Sequence, residues 1–333
     1  MTILPRLVRG KGFYSLPVAF LFMVKMKYGS QTEYGKLKKV IMHRPTEENR
    51  RITPGNKDAY LFRDVIYWKE FQREHDAFTD TLHGEGIEVL MLTDYLDPHH
   101  AEIANTLPNM VYTRDNLMVT SLGAHTLKMA SAARHVEPLI MEKAMEKLKI
   151  PVAQRIEHPG AVEGGDFVWL NKDTPMMGFI TRSNESGVRE VKNKLLAENA
   201  VKEFVAVPLP SFRVHLDGVL MILSPDIALF HEGSLGLFPS YIYNEDGVRV
   251  QYLRDYLTEK GIELIECNDT EVRMFGTNLL GIGDHKLVSY EWNERLMELL
   301  DDRGFDVIGI PGSQLSIGGG GPHCMTCPIL REG

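Results

Sequence analysis

The sequence predicts an α/β protein assembled from repeated ββαβ units, and three observations predict it. Short apolar strand-like runs alternate with helical segments along most of the 333 residues. Two adjacent strand runs, then a helix, then a further strand, recur three times. No low-complexity stretch or composition shift marks a linker.

In chain order, the pattern opens with a strand over 37–42, a helix over 65–83, and strands over 86–92 and 110–120, before a helix over 137–148. The first full unit is predicted from strands 166–170 and 176–180, a helix over 186–198 and a strand over 201–208. A second, with a longer connection, has strands 214–223 and 227–230, a helix over 247–260 and a strand over 263–267. The third has strands 279–283 and 286–290, a helix over 291–303 and a strand over 306–310. Recurrence at this spacing points to a ring of units rather than an open doubly wound sheet. No Gly-x-Gly-x-x-Gly turn follows the first strand and no Walker loop is present, so nucleotide binding has no positive support.

Residues 1–25 read as an extension and 26–333 as a single catalytic domain. Arg6, Arg9 and Lys11 precede an apolar run over 13–24 that imitates a signal peptide. No small-residue cleavage site follows, and the run is too short to span a bilayer, so the expectation is an upstream start or a disordered extension.

A hydrophobic content of 44% and a charged content of 25% are those of ordinary globular chains. The net charge of -8 and the isoelectric point near 5.9 argue against nucleic acid or a membrane surface as partner, because both demand a concentrated basic patch. A small cationic substrate suits this balance, and self-association is left open. Three cysteines, Cys267, Cys324 and Cys327, form an odd and sparse set that fits the reducing cytoplasm better than a disulfide framework.

Four segments place polar residues at strand ends or in glycine turns, where packing does not require them. They are Tyr112-Thr113-Arg114-Asp115, Glu163-Gly164-Gly165-Asp166, His215-Leu216-Asp217-Gly218, and the run 318–324 ending in Pro322-His323-Cys324. His215 and Asp217 stand two apart on a predicted strand, so both would face one side. Cys324 and Cys327 form a C-x-x-C, but no second Cys/His pair with finger-like spacing accompanies it, so a zinc site is not expected. Pro328 follows at once, where a thioredoxin-like pair would open a helix. One accessible thiol in a glycine-rich loop is the remaining reading.

Taken in order, these segments resemble the arginine deiminase branch of the guanidino-group-modifying enzymes, with further support from Val40-Ile41-Met42-His43-Arg44-Pro45 and Glu74-His75-Asp76-Ala77-Phe78. The resemblance spans about residues 36–331. It implies a pentein-type α/β propeller of pseudo-repeated ββαβ units and hydrolysis of arginine to citrulline and ammonia, without a cofactor or metal. It further implies Cys324 as nucleophile, His215 as general acid and base, Glu163 as its carboxylate partner, and Asp115 and Asp217 as the grip on the guanidinium. Asn109, Arg134 and Arg182 fall where the family holds the amino-acid end of the substrate.

Two departures qualify the likeness. Only 79–108 separates the first helix from Thr113-Arg114-Asp115, too short for the helical insertion of many bacterial deiminases. The loop before the cysteine is unbroken glycine over 318–321 where the family tends to carry an arginine. The rival outcomes are an amidinotransferase passing the amidino group to an amine, a dihydrolase giving ornithine, an agmatine-type deiminase, and a non-catalytic binding protein of the same fold.

Overall fold

The computed structural model describes residues 28–332; the extension expected over 1–25 lies outside them. Helices form where apolar residues recur with helical spacing. In Trp68–Gly84, Phe71, His75, Phe78 and Leu82 are the buried stripe, and in Glu294–Asp301 it is Leu296 and Leu300.

Among the described residues the expected ββαβ unit occurs five times rather than three. Leu117–Thr120 and Gly123–Thr126 pair antiparallel, the helix Glu137–Leu148 crosses, and Val152–Arg155 lies parallel to the second strand. The same order holds for Phe167–Asn171, Thr174–Phe179, helix Glu185–Ala197 and Phe204–Pro208. It holds again for Leu220–Ile222, Ile227–Phe230, helix Leu253–Glu259 and Glu263–Glu266. A further instance is Leu280–Gly283, Lys286–Tyr290, helix Glu294–Asp301 and Asp306–Ile310. The remaining unit is split. Lys36–Met42, helix Trp68–Gly84 and Glu88–Met91 come from one end of the described chain, and Cys327–Glu332 supplies the antiparallel partner from the other.

Two of the expected strands begin as turns. The start of 110–120 is a loop leading into the 3-10 turn Thr113–Asn116, and within 214–223 the turn Leu216–Gly218 precedes the strand Leu220–Ile222. The expected helix over 247–260 is a strand, Gly247–Gln251, followed by the shorter helix Leu253–Glu259. Alternating Val248 and Val250 favour the extended state, and the strand pairs antiparallel with Ser240–Asn244, which extends the sheet of the preceding unit through Phe204–Pro208. Between helix Trp68–Gly84 and Thr113 stand only a four-residue strand, a 3-10 turn and the helix Pro98–Ala104, so the helical insertion is absent there.

Each unit's first strand is preceded by a short turn, and the five turns meet in a closed cycle of hydrogen bonds. The Gly165 amide donates to Asp115 Oδ1 at 3.2 Å, and the Leu216 amide to Asp166 Oδ1 at 3.2 Å. Thr277 Oγ1 donates to the Gly218 carbonyl at 2.5 Å, and the Cys324 amide to Asn278 Oδ1 at 3.2 Å. The Arg114 amide closes the cycle by donating to the Cys324 carbonyl at 3.2 Å.

Candidate active site

The cycle of turns forms the floor of a cavity of about 380 Å³. Of the eight residues expected from the sequence, Asn109, Asp115, Arg134, Arg182, His215, Asp217 and Cys324 line it. Glu163 is fully buried behind His215. The glycines of Glu163-Gly164-Gly165-Asp166 permit this convergence by close approach: a Cβ on Gly164 would stand 2.0 Å from the Arg114 carbonyl oxygen, and one on Gly165 2.5 Å from His215 Nδ1.

His215 and Asp217 do not share a strand face as the spacing suggested. His215 is extended and Asp217 sits inside the 3-10 turn that follows, yet the turn sends both side chains into the cavity. His215 Nε2 lies 2.8 Å from Glu163 Oε2, and Nδ1 lies 3.8 Å from Asp115 Oδ1. Burial alone would lower the imidazole's pKa, but Asp115, Glu163 and Asp166 outweigh it and raise the group from 6.5 to about 10. Burial would raise the Glu163 carboxyl, and His215, Arg134 and Arg182 outweigh that and hold it below the usual range.

Cys324 Sγ lies 3.8 Å from Asp217 Oδ2. Burial, then Asp217 and Asp115, push this thiol well above its ordinary value. Asp217 is itself fixed by His323, whose Nδ1 lies 2.8 Å from Asp217 Oδ2 and whose Nε2 lies 3.2 Å from Glu33 Oε2. Burial would raise Asp217, and His323 outweighs it and keeps the carboxyl ionised more readily than usual. Cys327 is buried with Sγ against the Leu117 carbonyl, away from the cavity, and burial pushes its pKa to about 12. All three cysteines are free.

The two arginines stand among the acids. Arg134 is 3% exposed and donates to Asp115 Oδ2 at 2.6 Å and Glu137 Oε2 at 2.8 Å. Arg182 donates to Glu163 Oε2 at 3.1 Å. Asn109 donates to the Tyr60 carbonyl, while its buried Oδ1 has no partner among the described residues. Asp115, Glu163 and His215 bring potential metal-ligand atoms within 4.8 Å of one another. Arg134 and Arg182 already pair with those two carboxylates.

Sequence reasoning missed Asn278 and Glu33, and it named His323 without a role. Asn278 occupies, ahead of Leu280–Gly283, the place that Asp115 holds ahead of Leu117–Thr120, and it anchors the Cys324 amide. Its signal was positional, a polar residue at the same point of a repeated unit.

The chain matches the family described as arginine deiminase over residues 58–102 and 99–331. The chain belongs to the arginine deiminase family. It is thereby an enzyme of that class. The two matched segments meet at 99–102, inside the stretch where the helical insertion is lacking. Arginine deiminase of Listeria monocytogenes serotype 4a (strain HCC23) is 27% identical over 397 residues, covering 90% of this chain and 97% of the relative. That of Treponema denticola is 26% identical over 401, covering 90% and 98%. Both alignments are longer than this chain, so these deiminases carry stretches that it lacks.

Solved structures confirm the fold. Dimethylarginine dimethylaminohydrolase of Pseudomonas aeruginosa, complexed with citrulline, superposes with a TM-score of 0.67 at 19% identity, covering 88% of this chain and 99% of that one. The N-terminal domain of an arginine dihydrolase from the ornithine–ammonia cycle in cyanobacteria, bound to product, gives 0.68 at 16%, covering 89% and 98%. These are pentein-fold proteins, and this chain shares their fold. Among the described residues, no helix is long and apolar enough to cross a membrane.

Proposed function

We propose that this deiminase-family enzyme hydrolyses arginine to citrulline and ammonia through a covalent S-alkylthiouronium on Cys324. The observation that carries the reading is the placement of one buried thiol 3.8 Å from Asp217 in a cavity shared with Asp115 and His215. A guanidinium is a planar cation with a fork of N–H donors, and Asp115 and Asp217 can accept from it on two edges. Its positive charge offsets the two carboxylates that hold the Cys324 proton, so binding lowers the thiol's pKa and the proton leaves to solvent.

The thiolate then adds to the central guanidino carbon. His215, held protonated by Asp115 and Glu163, gives its proton to one departing nitrogen, ammonia leaves, and the thiouronium remains. The now neutral His215 deprotonates a water, which attacks the same carbon. Collapse breaks the C–S bond, and the ureido product departs with the thiol restored. No cofactor or metal enters these steps. Arg134 acts through Asp115, while Arg182 and the unpaired Asn109 Oδ1 suit the amino-acid end of the substrate. Three free thiols also fit a cytoplasmic setting.

Incubation with arginine, with and without an amine acceptor, tests the reading. Citrulline and ammonia in equal amounts are expected, with an adduct on Cys324 in acid-quenched enzyme by mass spectrometry and no turnover by Cys324→Ser. Ornithine as the product, or an adduct on Cys327, would overturn it.

A further inference from the structure

Five arginines border the cavity, and their partners differ. Arg134 and Arg182 share their charge with the buried carboxylates described above. Arg213 is spent on Ser234 Oγ through Nε and on Asp269 through Nη2. Among the described residues the Arg273 side chain reaches only Thr270 Oγ1 in its own turn, at 3.4 Å.

Arg63 stands apart. Among the described residues its guanidinium has no carboxylate partner, yet it is held in place. The guanidinium lies 4.1 Å from the centre of the Phe275 ring, and Nη1 donates to the Arg273 carbonyl at 2.8 Å. Its main-chain amide donates to the Ile317 carbonyl at 2.9 Å, immediately before the glycine run. That run borders the same rim with Gly318 and Gly319, which have no side chain to contact a ligand. The cavity therefore has a buried floor with Asp115 and Asp217 and an exposed rim with a fixed, uncompensated cation.

We propose that Arg63 binds the carboxylate of the guanidino substrate at this rim and so selects guanidines that bear a carboxylate over decarboxylated ones. The inference rests on the arginine-hydrolase reading above. A planar guanidinium with free N–H groups meets a carboxylate through paired hydrogen bonds, and stacking on Phe275 fixes its plane in advance. Arg273 lacks this fixing, which makes it the natural comparison.

The test measures KM and kcat for arginine and for its decarboxylated counterpart agmatine in wild type, Arg63→Ala, Arg63→Lys and Arg273→Ala, with thermal unfolding to confirm folding. Arg63→Ala is expected to raise the arginine KM about tenfold while kcat stays within about twofold and the agmatine KM is unmoved. Arg63→Lys should recover part of the loss, and Arg273→Ala should shift the arginine KM less than about threefold. An equal rise for both substrates, or none for arginine, would overturn the proposal. Binding of both compounds to Cys324→Ser, with and without Arg63→Ala, separates the two readings. If wild type made no citrulline, the reaction would be wrong, whereas an arginine affinity indifferent to Arg63 would remove this role whatever the reaction.

Discussion

His215 shows how a single residue is tuned by its neighbours. Its pKa is raised from 6.5 to about 10 in the folded protein, so its contribution to stability is complete below about pH 6.5 and is lost as pH climbs through about 10. The unfolding free energy of wild type relative to His215→Gln, measured by denaturant titration, should therefore decline between pH 6.5 and 10. A difference independent of pH would contradict the charge environment described. Cys324, His215, Glu163, Asp115 and Asp217 were legible in the sequence because four polar segments, each weak alone, together resemble those of the arginine deiminase family. No role for Asn278, Glu33, His323 or Arg63 could be read there. Their contacts lie with neighbours 46, 290, 106 and 254 positions away, as the Asn278–Cys324, Glu33–His323, His323–Asp217 and Arg63–Ile317 bonds make plain. No local pattern encodes such contacts.

Among the elements, helix Trp68–Gly84 has a task beyond its apolar stripe. Glu74, 2% exposed, accepts from Ser313 Oγ at 2.6 Å and from the amides of Gln314 and Leu315 at 2.8 and 3.0 Å. This carboxylate anchors the segment that enters the glycine run. Glu74→Ala leaves three donors without their acceptor, and should lower the unfolding free energy by about 3 kcal/mol. Hydrogen exchange of amides over 313–321 should accelerate as well. Unchanged stability and exchange would remove the anchor. Helix Glu137–Leu148 matches the range read from the sequence, because its apolar spacing is uninterrupted. The strands Gly123–Thr126 and Val152–Arg155 escaped notice, since four-residue strands rich in small and polar residues carry too little alternation to stand out. The segment 247–260 misled because the hairpin strand and the helix run on with one residue between them.

For the whole molecule, repetition was legible and its completeness was not. Three units were visible, one was hidden by weak strands, and one is divided between distant parts of the chain. The division has an energetic consequence. Removal of residues 327–333 would strip Lys36–Met42 of its antiparallel partner and take away buried Cys327 and Ile329. Such a variant should lose its cooperative thermal transition, monitored by circular dichroism; a transition within a few degrees of wild type would show that the first sheet stands without that strand. The same division sets a schedule for synthesis. In chain order four units precede Cys324, the thiol proposed as nucleophile, and the strand Cys327–Glu332 that seats its loop follows it directly. In the proposed mechanism a growing chain therefore carries its carboxylates and imidazole before Cys324 is made, and it becomes chemically competent only when the first sheet receives that strand.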